Sequence, residues 1–464
     1  MNTFIKKNQI YLQMFFKAMF LIHLLFCYNA YIVGTLISKI ITVVAVVSGA
    51  VLLLTRLTEL KKILFSFEGA MLLLFMASYL VSVVFNIRYG YYEGLKYFIW
   101  LLLLFGGVFW TNRDATHEQV RREIFFLCII LIGYAVVMNC ISLGLLFARY
   151  SGFYNAADGR IYLIGFAYWG RLYGVYVDPN YGAVVSGAAI LAACFCLTYV
   201  KKAWIRVLFV LSMIPSILNC AFSASRTGLV SLGIGGAAFL FAYVWRKGKK
   251  HHVLKALGAA VCGLMAVIII LTGTVSGYNK LMAGLASGTE KPEDTEKKQQ
   301  ELIIGRQTEL NGDISNRRFD IWKSGWDIFK QKPVFGVGWG NNVEYVKQNI
   351  PDSYLINNDL ATFDVFHNSF IDILVDQGIV GIVITLVFMG GVIVMLIKTF
   401  RRREYDAGVM ALLFGGVAML GFSGCVLSVL VYVNCGLSYL FWLFLGYLIY
   451  FCRRGDQEKG LVKE

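Results

Sequence analysis

A histidine at the boundary between a polar stretch and an apolar segment is the residue of this sequence best placed to do chemistry. His367 is followed by Asn368 and Ser369, and either could cap the helix predicted for the apolar run after them. The first turn of a helix offers unpaired N–H groups and partial positive charge, which suit an anionic ligand. A neutral imidazole held there can accept a proton from a hydroxyl group. The alternative is an interfacial histidine with one edge in water and no chemical role.

Four arginines lie in connections that we place on the same side of the protein as this histidine. They are Arg171, Arg226, Arg317 and Arg318. A guanidinium group binds phosphate through two parallel hydrogen bonds, and each charged hydrogen bond contributes roughly 1.5–3 kcal/mol. Each arginine alone could instead pair with a lipid headgroup or with an aspartate. The aspartates available are Asp178, Asp320, Asp364 and Asp372. Because several arginines share one side with the histidine, we favour a common anionic ligand.

Two further patterns concern the surroundings of the histidine. Asp372 and Asp376 lie four residues apart on one face of the predicted helix, where they could orient the imidazole or stabilise the helix start. Of the five histidines, only His367 lies in a connection on the arginine side. No cluster of metal-ligand spacing occurs in the connections on that side, so we expect a reaction without metal or cofactor.

The elements that must hold these residues are membrane-spanning helices. Of the 464 residues, 58% are hydrophobic and 15% are charged, and the mean hydropathy is +0.65. Apolar runs of about 17–25 residues recur along the chain, each long enough to cross a bilayer as a helix. They lie near residues 16–34, 36–54, 63–86, 92–110, 123–147, 182–199, 204–222, 228–245, 253–273, 369–397, 408–432 and 436–452. The predicted fold is an all-α, polytopic membrane bundle of about twelve transmembrane helices.

The basic residues give the expected orientation. If the N-terminus, with Lys6 and Lys7, is cytoplasmic, every second connection should be cytoplasmic and basic, and all of them are. We therefore expect a multi-pass protein of the cytoplasmic (inner) membrane, with both termini cytoplasmic and the histidine on the outer face. The formal net charge of +15 then reflects topology and anionic lipid, and nucleic acid is not needed as a partner. Lys17, within the first span, should snorkel to the interface.

The predicted organisation has three parts. Residues 1–273 hold nine transmembrane helices and an external loop near 148–181, residues 274–368 form one large external loop, and residues 369–464 hold three further helices and a cytoplasmic tail. The large loop should begin with a mobile polar tract at Ser287–Gln300 and contain a short helix from about Asn316 to Lys330. Aromatic residues recur every three or four positions of that helix, so it should lie on the outer membrane surface or on top of the bundle. The glycine-rich stretch Phe335–Gly340 should be a flexible turn.

In combination, the polar motifs resemble those of the O-antigen ligase and polymerase family. They are, in order, Arg171-Leu-Tyr-Gly with Asp178-Pro179-Asn180; Ser225-Arg226-Thr227-Gly228; Trp322 with Pro333 and Gly336-Val337-Gly338; and His367-Asn368-Ser369 with Asp376-Gln-Gly378-Ile-Val-Gly381. The resemblance extends from about residue 60 to about residue 450 and lies in the order and spacing of the motifs, since no single motif is specific. One departure is Asp376, where many relatives carry glutamate.

The resemblance implies a membrane glycosyltransferase that takes oligosaccharide from a polyprenyl-pyrophosphate carrier at the outer face. By position, Arg171 and Arg226 would hold the pyrophosphate, with help from Arg318 and less from Arg317. The histidine would accept the proton of an acceptor hydroxyl, or would orient the acceptor as a hydrogen-bond donor, and the anomeric carbon would be inverted without a metal. The implied site residues are His367 as the catalytic residue and, for substrate binding, Arg171, Arg226, Arg318, Arg317, Asn180 and Asn368.

Three functions are compatible with this sequence. The resemblance favours a polymerase that joins repeat units of a surface polysaccharide. A ligase that moves finished polymer to another lipid or protein acceptor would use the same residues. A polysaccharide transporter would need inverted halves and ionisable groups near mid-membrane, and the sequence shows no clear internal repeat. The expected partners are the lipid-linked oligosaccharide, membrane lipid, a flippase and a chain-length regulator.

Overall fold

The computed structural model describes residues 2–111, 115–167, 169–247, 253–287, 303–305, 317–358, 362–400 and 405–457. Within these residues the chain forms fifteen α-helices. They are α1 (Asn2–Phe26), α2 (Leu36–Arg56), α3 (Leu60–Leu64), α4 (Phe67–Phe85), α5 (Tyr92–Leu102), α6 (His117–Phe147), α7 (Pro179–Tyr199), α8 (Ala203–Phe222), α9 (Arg226–Lys247), α10 (Val253–Ser287), α11 (Arg318–Gln331), α12 (Asn342–Asn349), α13 (Ser369–Phe400), α14 (Ala407–Val426) and α15 (Gly436–Gln457). A 3₁₀ turn at Leu57–Glu59 joins α2 to α3, and a π-helical segment at Leu103–Phe109 extends α5.

Twelve helical segments of the described chain are long and apolar enough to cross a membrane, which confirms the predicted all-α bundle. The helix α11 is the short helix predicted within the large loop, and α12 is a second short helix in that loop. Because consecutive spans alternate in direction, the end of α6, the start of α7 and the start of α13 share one end of the bundle. We call it the site end.

Three spans differ in length from the hydropathy prediction. The helix α1 ends at Phe26 and not near residue 34, and α14 ends at Val426 and not near residue 432. After α1 the backbone turns away, and Ala30 N donates to Val175 O at 2.9 Å. Such pairing satisfies backbone groups without a helix, and a hydropathy profile does not register it. In contrast, α10 continues to Ser287, past the predicted end at residue 273.

The connection between α6 and α7 contains a three-stranded antiparallel sheet that was not predicted. Its strands, in spatial order, are β1 (Ser151–Asn155), β2 (Ile161–Ala167) and β3 (Arg171–Gly174). The sheet packs on α6 so tightly that a Cβ on Gly174 would lie 2.1 Å from Ser142 Oγ. This contact holds β3 beside the bundle, and Arg171 is the first residue of that strand.

A kink divides α13 at Gly378, where φ is 64° and ψ is −158°. The segment 333–338 of the large loop pairs with the helix there, and Val337 N donates to Val375 O at 3.0 Å. A Cβ on Gly336 would lie 2.2 Å from the same carbonyl oxygen, so the close approach requires glycine. The prediction of a flexible turn is therefore wrong for this part of the loop, which is attached to a spanning helix.

Lys17 does not snorkel to the interface, so that prediction is wrong. Its side chain is fully buried, and Nζ lies 2.8 Å from a carboxylate oxygen of Glu123 in α6. Glu123 also accepts hydrogen bonds from Tyr447 Oη at 2.7 Å and from Gln13 Nε2 at 2.9 Å. A buried charge requires such partners, and the sequence does not reveal that α6 brings a carboxylate to this lysine.

The helix α11 matches the helix predicted near Asn316–Lys330. Its buried residues are Ile321, Ser324, Gly325 and Ile328. Within the aromatic stripe, Phe319 is 66% and Trp326 50% exposed, whereas Trp322 is partly buried and packs toward the bundle. The expected contact of this stripe with the membrane surface stays a prediction. The polar tract expected to be mobile lies, beyond Ser287, outside the described residues.

Candidate functional site

His367 lies two residues before α13, and its backbone occupies the left-handed region with φ of 50°. The residue before it, Phe366, is held from two sides. Its N–H donates to Asp372 Oδ1 at 2.9 Å, and its carbonyl oxygen accepts from Trp322 Nε1 at 2.9 Å. Its ring is buried. The backbone next to the histidine is therefore fixed, and Asp372 contributes one of the two hydrogen bonds that fix it.

The start of α13 is capped and anchored. Asn368 Oδ1 accepts from Phe370 N at 3.0 Å and from Ile371 N at 3.3 Å, so Asn368 is the N-cap that the sequence predicted as one of two candidates. The buried Ser369 Oγ donates to Leu427 O at 3.0 Å. This bond joins the start of α13 to the non-helical segment that follows α14.

A cavity of about 400 Å³ opens beside His367 at the site end. Small-molecule sites typically measure about 300–1,000 Å³. Its charged lining residues are Glu93, Lys96, Arg160, Asp178 and Asp364. Glu93 and Lys96 form an ion pair at 3.2 Å. In the part of the chain that the structure describes, no three His, Cys, Asp or Glu side chains are grouped to hold a metal ion.

The surroundings of His367 lower its pKa from the usual value. Burial has the largest effect, because the imidazolium ion loses its water. The carboxylates of Asp178 and Asp364 raise the pKa, whereas the charge of Arg318 lowers it further. Since the net direction is downward, the imidazole is neutral at neutral pH and able to accept a proton.

Arg171 and Asn180, both predicted to bind substrate, are in direct contact. Arg171 Nη2 donates to Asn180 Oδ1 at 3.0 Å, and its Nε donates to Ser223 O at 2.9 Å. Ser225 Oγ donates to the same oxygen of Asn180 at 2.9 Å. Strand β3, the start of α7 and the turn before α9 therefore meet here. Asp178, which caps α7 and borders the cavity, connects this cluster to the cavity wall.

Arg226 lies beside this cluster, but its side chain is exposed and borders a different cavity. That groove measures about 490 Å³ and is mainly apolar. Its apolar lining on α9 and α10 includes Leu229, Val230, Leu271 and Val275. A cation at the mouth of an apolar groove suits a ligand with an anionic head and a hydrocarbon tail.

The two arginines at the start of α11 differ in their surroundings. Arg317 has φ of 62°, and its Nη1 donates to Tyr354 Oη at 3.3 Å. Arg318 is the first residue of the helix, and its charge acts on His367. The charge of Arg318 therefore acts directly on the titration of the histidine.

Several cavity residues were not identified from the sequence as part of the site. Asp178 and Asp364 were considered only as partners of arginine, yet both border the cavity with His367. For Asp178 a signal existed, because Asp before Pro179 is a helix-start pattern. The cavity is also lined by six aromatic residues. These are Tyr28, Tyr97, Trp100, Tyr181, Trp339 and Tyr432.

Comparison with known proteins agrees with the predicted resemblance. Residues 211–386 match the family model Wzy_C, described as O-antigen ligase. That stretch contains Arg226, Arg317, Arg318, His367 and Asn368, whereas Arg171 and Asn180 precede it. A Haemophilus influenzae protein described as uncharacterized is 24% identical over 217 residues, which is 46% of this chain and 50% of that protein. The alignment thus spans half the length of that relative. This match over residues 211–386 confirms the predicted resemblance to the O-antigen ligase and polymerase family.

Proposed function

We propose that this multi-pass membrane protein is a glycosyltransferase that polymerises oligosaccharide repeat units from a polyprenyl-pyrophosphate carrier. In this proposal it resides in the cytoplasmic membrane with both termini inside, and the site end faces outward. The large loop between α10 and α13 is then external. A flippase that delivers the donor and a chain-length regulator are the partners this reaction would need.

The observation that carries the proposal is that one short segment joins the His367 cavity to the contact between Arg171 and Asn180. His367 and Asp178 border the same cavity, and Asn180, two residues after Asp178, bonds to Arg171. This arrangement supports a proton acceptor on one side of a reaction centre and cations on the other.

The acceptor half of the reaction is assigned to His367. Its imidazole accepts the proton of an acceptor hydroxyl while that oxygen attacks the anomeric carbon of the donor. The bond between that carbon and the pyrophosphate oxygen breaks from the opposite face, so the configuration inverts. A positioned base contributes about 10²–10⁴-fold to such a step.

The donor half is assigned to the arginines. Negative charge grows on the pyrophosphate as it leaves, and fixed guanidinium groups stabilise that charge more in the transition state than in the ground state. The buried Arg171 is held in place by its hydrogen bonds. The exposed Arg226 stands at the apolar groove between α9 and α10, which can accept the polyprenyl chain.

A ligase is the alternative, and the matched family model is described as O-antigen ligase. A ligase would use the same donor chemistry and would transfer finished polymer to a different lipid or protein acceptor. The two differ in whether the acceptor is another lipid-linked repeat unit.

Purified protein in liposomes, supplied only with lipid-linked repeat units, tests the proposal. A polymerase gives a ladder of products on a gel, whereas a ligase gives none until a second acceptor is added. We expect no transfer by His367→Ala or His367→Asn, and the second variant suits the left-handed backbone because asparagine tolerates it. The exposed Lys323→Ala is the matched control. Ladders from either His367 variant would contradict the base assignment.

A further inference from the structure

The aromatic wall of the His367 cavity has no part in the donor chemistry described above. Two pairs of stacked rings belong to it. The rings of Trp339 and Tyr432 lie 5.3 Å apart with an interplanar angle of 15°, and those of Tyr28 and Tyr181 lie 4.2 Å apart at 27°. All four residues border the same cavity as the histidine.

In each pair, a buried ring supports a partly exposed ring. Tyr432 and Tyr181 are 1% and 2% exposed, whereas Trp339 and Tyr28 are only partly buried. The buried tyrosines are also fixed at their hydroxyl groups, since Tyr432 Oη accepts from Gln377 Nε2 and Tyr181 Oη accepts from a backbone N–H at 3.1 Å. The outer rings thus rest on rigid supports.

We propose that these two ring pairs bind the terminal sugar of the acceptor and hold its hydroxyl next to His367. The face of an aromatic ring carries partial negative charge and attracts the C–H groups on the flat side of a sugar ring. The carboxylates of Asp178 and Asp364 border the same space and accept hydrogen bonds from sugar hydroxyls. Flat rings with a few fixed polar groups are what a carbohydrate needs, whereas a hydrocarbon chain needs no carboxylates.

This inference rests on the proposed function, because it assigns the acceptor half of that reaction. It also separates the two substrates in space. The acceptor occupies the aromatic cavity, and the tail of the donor occupies the apolar groove at Arg226.

Binding is tested without turnover by saturation-transfer NMR. The probe is the free oligosaccharide repeat unit, released from its carrier by mild acid, with the protein in nanodiscs. Irradiation of aromatic protons should transfer saturation to the C–H protons of one terminal sugar. The signal should be lost in Trp339→Leu and kept in Trp326→Leu, which removes an exposed tryptophan outside the cavity. No transfer in the wild-type protein, or equal transfer in Trp339→Leu, would overturn the proposal.

A kinetic measurement distinguishes failure of this inference from failure of the proposed function. In a transfer assay with lipid-linked repeat units as the donor and the free oligosaccharide as the varied acceptor, Trp339→Leu should raise the acceptor KM about tenfold and leave the donor KM unchanged. If Trp339→Leu does not fold, Trp339→Phe takes its place with a smaller rise. An unchanged acceptor KM together with wild-type ladders would refute sugar binding by the two ring pairs and leave the polymerase assignment intact. Saturation transfer by a protein that does not turn over the lipid-linked donor would refute the polymerase assignment and leave the sugar-binding role of the rings intact.

Discussion

The indole Nε1 of Trp322 donates a hydrogen bond to the carbonyl oxygen of Phe366, 2.9 Å away and one residue before His367. On the other side, Asp372 accepts the N–H of Phe366 at 2.9 Å. Two side chains from different helices therefore hold both backbone groups of the residue that precedes the histidine. In the proposed reaction neither side chain needs to touch substrate, since each holds the backbone next to the imidazole.

Trp322→Phe keeps an aromatic ring and removes the hydrogen-bond donor. We expect kcat to fall about tenfold, because an unsatisfied carbonyl weakens the hold on His367. Donor affinity should not change. Steady-state transfer rates provide the measurement, with Trp326→Phe on the same helix as the control. A Trp322→Phe enzyme with wild-type kcat would show that this bond does not position the histidine.

Asp372→Asn and Asp372→Ala form a second test of positioning. Asparagine retains an oxygen that accepts from Phe366 N, whereas alanine does not. We therefore expect Asp372→Asn to keep most transfer activity and Asp372→Ala to lose it, with a loss of about 1–3 kcal/mol in the free energy of unfolding for alanine. Thermal denaturation and transfer assays give the two readouts. Equal activity of the two variants would argue against the acceptor role.

The pH dependence of transfer follows from the lowered pKa of His367. A base works in its neutral form, so activity should be lost on acidification only below the usual histidine pKa of about 6.5. Removing the positive charge of Arg318 stabilises the imidazolium ion and raises the pKa. The acidic limb of the kcat/KM profile should therefore move to higher pH in Arg318→Gln, and to lower pH in Asp364→Asn. The control is Lys323→Gln on the same helix, for which no displacement is expected.

Arg226 and Arg171 should respond differently to substitution, although both are assigned to the pyrophosphate. Arg226 is exposed, so Arg226→Ala should weaken donor binding about tenfold without changing thermal stability. Arg171 is buried and bonded to Asn180 and Ser223, so Arg171→Ala should lower both donor affinity and stability. Donor binding to protein in nanodiscs and thermal unfolding measure the two effects. Unaltered donor affinity in Arg226→Ala would remove that residue from the site.

The buried pair of Lys17 and Glu123 gives a prediction for stability alone. Lys17→Met leaves the carboxylate without its cation, and breaking a buried pair in this way costs about 3–5 kcal/mol. The double variant Lys17→Met/Glu123→Gln should recover part of the loss, because no unpaired charge remains. Unfolding in detergent with each variant measures the difference. Equal stability of the single and double variants would contradict the pairing.

The sequence alone determined the spans and the chemistry available to the site. Backbone N–H and C=O groups in a bilayer must form their hydrogen bonds within the helix. An apolar run of sufficient length therefore predicts a transmembrane helix directly. The side-chain types of His367 and of the arginines likewise indicated proton transfer and anion binding as the chemistry to propose. The order and spacing of the motifs were enough to show which family the sequence resembles.

Only the tertiary structure decided which residues meet. Asp178 borders the same cavity as His367, although 189 positions in the chain separate them. The pairing of Lys17 with Glu123, the sheet before α7 and the attachment of segment 333–338 at the kink of α13 were equally absent from the sequence pattern. Each depends on contacts between segments far apart in the chain. Local periodicity describes the face that a residue occupies on its own helix, and it carries no information about the helix that packs against that face.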